Sequence, residues 1–202
     1  PRLALADLHQ PAGAGAEATN VLLRGIQKKP DDQALLEAVI TVGYRTQQLP
    51  AVVAALAKND DAVTSWYLGK ARFWLADQEG TAKKLPEAQA TLDQAKAAFA
   101  ASMQKNPGFR NSSEQWIAMV TGKKGYLAFL AKDLANAEKW LLEATRNRPD
   151  QIGSEIGSHT FANGNTVPLT TKLGVMLLAE TFGQNLGKLE ALYRAAAEAA
   201  NS

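Results

Sequence analysis

The sequence predicts an all-α protein, an α-solenoid-like array of about nine or ten helices in antiparallel pairs. Three observations predict it. Alanine, the strongest helix former, takes 37 of 202 positions, and so small a side chain lets helices approach closely. Apolar residues recur at three- and four-residue spacing, the period of a helix with one buried face. Polar breaks containing proline punctuate the chain at Lys29-Pro30-Asp31-Asp32, Asn106-Pro107-Gly108 and Arg148-Pro149-Asp150. Basic residues precede each break and suit a helix C-terminus, and the aspartates after Pro30 and Pro149 suit the next N-terminus.

Taken in order, Leu35, Leu36, Val39, Ile40 and Val42 form the first clear stripe. Leu92, Ala95, Phe99 and Met103 form another, in a segment that Pro86 opens at a first helical position. Leu134, Ala137, Leu141 and Ala144 form a third, with Asp133 as its N-cap. Leu173, Met176, Leu177 and Glu180 place a helix at about 168–182, and an Ala-rich helix follows at 186–200.

The helices repeat. In the segment 118–149, counted from Ala118, Gly125 falls at position 8, Ala137 at 20, Leu141 at 24, Ala144 at 27 and Pro149 at 32. Weaker copies place Ala18, Leu22 and Gly25 before Pro30, and Gly69, Ala95 and Phe99 before Pro107, with Ser102 at position 27 in place of alanine. A further copy covers 32–61, and the last has Gly174 at position 8. On these residues the chain resembles the tetratricopeptide repeat family, built from a 34-residue helix–turn–helix unit. Small residues at positions 8, 20 and 27 sit where the two helices of a unit cross, and the proline ends the second helix. Thr121 stands where the family prefers tryptophan. The whole chain, 1–202, is read as one such domain with insertions at about 77–89 and 151–167. The first insertion reads as a helical hairpin lengthened on both sides. The second is rich in Gly, Ser, Asn and Thr, and reads as a tolerated surface insertion. Within it, Asn163-Gly164 favours a type I′ turn and a small β-hairpin.

Much chemistry is excluded. Without cysteine there is no disulfide, thiolate ligand or cysteine nucleophile. The two histidines, His9 and His159, are too far apart for a His-rich metal site. Lys and Arg exceed Asp and Glu by 22 to 20 without clustering, so no phosphate-tracking surface is expected. No apolar run nears the roughly 20 residues of a membrane span. Gly153-Ser154-Glu155-Ile156-Gly157 lacks the serine position of a nucleophile elbow. Ser158 and His159 are adjacent, a poor geometry for a nucleophile–base pair, and His159 reads as a solvated loop residue. Gly183-Gln184-Asn185-Leu186-Gly187-Lys188 is one residue short of a P-loop, lacks the following Ser or Thr, and reads as an interhelical turn. Asp31-Asp32 and Asp60-Asp61 read as caps. No catalytic, cofactor-binding or metal-binding residue is expected, and the chain is not read as an enzyme.

The resemblance implies a concave groove lined by the first helix of each unit, and a protein or peptide segment as the partner. It places Thr41, Tyr44 and Arg45, then Trp66, Lys70, Phe73 and Trp74, then Met119, Tyr126, Phe129 and Leu130, then Thr171, Val175 and Leu178 in that groove. The partner-binding candidates are Tyr44, Arg45, Trp66, Lys70, Phe73, Trp74, Tyr126, Phe129 and Leu130. Such a groove would be aromatic with few charges and suit an apolar or amphipathic segment. The family's carboxylate clamp is not reproduced, because Glu37, Trp66 and Gly122 occupy its position 5, and chaperone tails are disfavoured. The expected function is a non-catalytic interaction scaffold. An exported accessory protein enclosing a small apolar ligand, or a regulatory domain of a larger protein, stays open, since the chain begins without Met. The cysteine-free, Ala-, Gln- and Asn-rich composition fits a bacterial protein of cytoplasm or periplasm.

Overall fold

The computed structural model describes residues 14–184 and 186–200, and confirms the all-α class. His9 lies outside the described residues. The helices are α1 (Ala14–Lys28), α2 (Gln33–Arg45), α3 (Leu49–Leu56), α4 (Ala62–Thr81), α5 (Leu85–Lys105), α6 (Arg110–Leu130) and α7 (Leu134–Asn147). Strands β1 (Glu155–Thr160) and β2 (Thr166–Thr170) follow, then α8 (Thr171–Thr181) and α9 (Leu186–Ala200). The chain divides into two compact units, 1–82 with 90–113 and 83–89 with 114–202, where the sequence reads as one domain. The division falls within α5 and α6.

In the first unit α1 packs on α2 and α3, α2 on α3 and α4, and α3 on α4. Leu22, Ile26, Leu36, Val39, Ile40, Val52 and Leu56 lie in its core with Tyr67 and Leu68 of α4. The insertion is absorbed into helix length. α4 and α5 run to 20 and 21 residues, with Lys83 between them at φ 61°. A Cβ at Gly69 would stand 2.9 Å from the Phe99 ring, so the glycine lets the two long helices meet. Ser102, which departs from the expected alanine, is fully buried, and its hydroxyl donates to the Ala62 carbonyl at 2.7 Å.

Aspartates start the helices by satisfying amides that have no intrahelical partner. Asp32 accepts from the amides of Ala34 and Leu35, Asp61 from Thr64 and Asp133 from Asn136. Asp32→Ala is expected to cost about 1 kcal/mol. Asp31→Ala, at the exposed residue just before it, should cost a few tenths at most. Urea unfolding followed by circular dichroism measures both, and equal losses would refute the capping account.

In the second unit α7 packs on α8 and α9, and α8 on α9. Ala137, Leu141, Val175, Leu178, Ala179 and Leu192 form the core, with Phe129, Leu134, Trp140 and Phe182 packed against it. The helix expected at 168–182 starts later, at Thr171, capped by the Thr170 hydroxyl, which accepts from the Leu173 amide. Pro168 belongs to β2, paired with Ser158. Met176, expected on the buried stripe, is exposed, because Val175, Leu178 and Ala179 turn their face to α7 instead.

The segment 151–167 is a β-hairpin continued into β2, and α6 holds it in place. The buried Lys123 ammonium donates to the Ile156 carbonyl at 2.6 Å. Tyr126 and His159 share a hydrogen bond of 3.0 Å. His159, expected as a solvated loop residue, is a half-buried strand residue with its ring edge-on to Tyr126 and Phe161. The reading of 151–167 as a merely tolerated surface loop is thereby corrected. The turn also differs from type I′. Thr160 pairs with Thr166, the Gly164 amide donates to the Phe161 carbonyl, and among Ala162, Asn163 and Gly164 only Gly164 has positive φ, at 85°. That is the three-residue connection in which a turn is followed by one left-handed glycine.

Candidate functional site

The site is a cleft between α2 and α4, within the first unit. Each helix contributes one stripe at helical spacing. Glu37, Thr41, Tyr44 and Arg45 come from α2, Lys70 and Trp74 from α4, and Ile40 forms the floor. The cleft is open and holds about 240 Å³. α4 is buried along two sides, by Leu68 and Ala71 on one and Gly69, Phe73 and Ala76 on the other. The strip between them carries Lys70 and Trp74 and lines the cleft.

The strip is polar and pinned. The Lys70 ammonium donates to both Glu37 oxygens, at 2.6 and 2.7 Å, and stands 5.9 Å from the Trp66 ring centre. The Tyr44 hydroxyl donates to Asp77 Oδ2 at 2.8 Å, and the Gln78 amide donates to the Tyr44 carbonyl at 2.7 Å. The Thr41 hydroxyl donates back to the Glu37 carbonyl. Tyr44 and Trp74 meet edge to face with ring centres 5.5 Å apart, forming the apolar wall. Burial, then the Glu37 carboxylate, push the Tyr67 phenol above its ordinary pKa. With Glu37, Lys70 and Arg45 on its lining, the cleft is more charged than the expected aromatic groove.

Tyr44, Arg45, Lys70 and Trp74, four of the nine partner-binding candidates, meet here. Trp66 packs among Tyr67, Phe99 and Phe109. Phe73 is fully buried and supports Trp74 from behind, ring edge against ring at 5.2 Å. In the second unit Tyr126 is buried beneath the hairpin and Phe129 packs on the core, while Leu130 is exposed. Thr171, Val175 and Leu178 are core residues. Glu37 and Ile40 join the cleft in addition to the residues expected from sequence. Their signal was the spacing they share with Thr41 and Tyr44 on one helix face.

Among the described residues no cluster of three or more His, Asp or Glu is arranged to hold a metal ion. No described helix is long and apolar enough to cross a membrane. Comparison with known proteins returns no matching family model, no matching curated protein and no matching solved structure.

Proposed function

We propose that the chain is a non-catalytic interaction scaffold of tetratricopeptide-like units that binds an apolar or amphipathic protein segment in the α2–α4 cleft. The observation that carries this reading is the cleft itself. Two helical stripes flank an open trough with an aromatic wall at Tyr44 and Trp74, and aromatic residues are the usual anchors of such binding. The repeat reading draws support from the cross-links that build it. Glu37–Lys70 and Tyr44–Asp77 each span 33 residues and Gln78–Tyr44 spans 34, close to the 34-residue unit. The packing of α1 on α2 and α3, and of α2 on α3 and α4, is what stacked helical pairs require.

A small apolar ligand fits the cleft less well. Its volume falls below the roughly 300–1,000 Å³ of small-molecule pockets, and its lining carries three charged side chains. The test is selection of short random peptides displayed on phage against the full chain. Trp74→Ala is expected to weaken the selected peptides by at least about tenfold, with the helical circular dichroism spectrum retained. Thr41→Trp, which fills the trough from an exposed position, should do the same without removing any packed side chain. Peptides indifferent to both variants would refute the cleft as the binding site.

A further inference from the structure

We infer that Arg45 recognises a carboxylate on the bound segment, so that the cleft selects an Asp or Glu placed beside an aromatic or branched aliphatic residue. This rests on the reading of the α2–α4 cleft as a peptide site. The argument is one of charge complementarity. Three ionised side chains line the cleft, and two of them are committed to each other, since the Lys70 ammonium holds both oxygens of Glu37. The nearby Asp77 carboxylate accepts from the Tyr44 hydroxyl. Arg45 differs from all of these. It is exposed in the last turn of α2, and it has no hydrogen-bond or ion-pair partner among the described residues. Of the three lining charges, Arg45 is therefore the one outside an ion pair.

A cation suits the C-terminal end of a helix, but that placement leaves the five guanidinium N–H donors unsatisfied by protein. Their planar fork matches a carboxylate through two parallel hydrogen bonds. Ile40 and the Tyr44–Trp74 pair line the same trough and form the apolar seat. A segment that fills the seat thus carries its neighbouring side chain within the field of Arg45. A basic neighbour would meet Arg45 as a like charge.

The experiment uses the peptides that the full chain selects and that Thr41→Trp weakens. They should be enriched in Asp or Glu next to an aromatic or branched aliphatic residue. Replacing that acid by its amide, or Arg45→Gln, should each weaken binding on the order of tenfold, the size of one charge-assisted hydrogen bond. The two changes together should weaken it little further. Arg45→Glu should shift fresh selections towards Lys and Arg. Arg45 is exposed, so the thermal midpoint of Arg45→Gln should stay close to that of the wild type. Peptides that need the open trough but carry no acid, or that ignore Arg45→Gln, would overturn the role of Arg45 and leave the cleft standing. If no selected peptide responds to Thr41→Trp or Trp74→Ala, the cleft and the inference fall together.

Discussion

Gly125→Val is expected to destabilise the protein by about 3 kcal/mol, the upper range for forcing extra methyl groups into a filled space. Gly125 lies in α6 where α7 crosses. A Cβ there would stand 2.6 Å from Leu141 Cγ and 2.9 Å from the Leu141 backbone nitrogen. A side-chain tip can turn aside, but a backbone nitrogen inside α7 moves only with its helix. Leu141 is itself fully buried and also lies 2.9 Å from the Cβ position of Gly174 in α8, so it is held from two sides. Gly25→Ala, by contrast, should stabilise by about 0.5–1 kcal/mol. Its Cβ would meet only the Leu35 methyl groups, the nearest at 3.4 Å, while the helix loses a flexible residue. Thermal unfolding by circular dichroism should therefore move in opposite directions for the two variants. A midpoint unchanged by Gly125→Val would refute the crossing drawn here.

Lys123→Ala is expected to cost about 2–4 kcal/mol, combining a lost charge-assisted hydrogen bond with a cavity. Lys123 is 2% exposed, and its ammonium holds the Ile156 carbonyl at the irregular register of β1 between Glu155 and Gly157. Lys123→Met keeps most of the volume and loses the donor, so its cost should be about 1–3 kcal/mol, the penalty of leaving a buried acceptor unpaired. The loss should be local. Hydrogen exchange at the strand amides of β1 and β2 should accelerate, while that of α2 stays unchanged. Equal protection of the hairpin in wild type and Lys123→Met would show that this lysine does not hold it.

The helices were legible because their determinants are local. Asp32, Asp61 and Asp133 cap through amides two or three residues away, and the stripes of α2, α5 and α7 follow from helical period alone. Ala95, Ala137 and Ala144 are buried, as expected of residues at close crossings. The end of β2 was less legible. Pro168 is as compatible with a helix start as with a strand in a two-stranded sheet, and only pairing with Ser158 decides between them. The site divided along the same line. Tyr44, Arg45, Lys70 and Trp74 line the cleft, whereas Phe73 and Tyr126, expected in the same groove, are buried. Sequence spacing records one helix face. Whether that face meets solvent depends on how many neighbours the helix acquires, and α4 has core on two sides.

Sequence alone therefore determined the all-α class, the starts of α2, α4 and α7 and the burial of the crossing alanines, each encoded by a few nearby residues. The tertiary structure alone decided that a buried lysine fastens the hairpin and that Glu37 closes on Lys70. It also decided that Arg45 lies on the cleft outside that ion pair. The two bonds join residues 33 positions apart, and such partners are chosen by packing rather than by any local pattern.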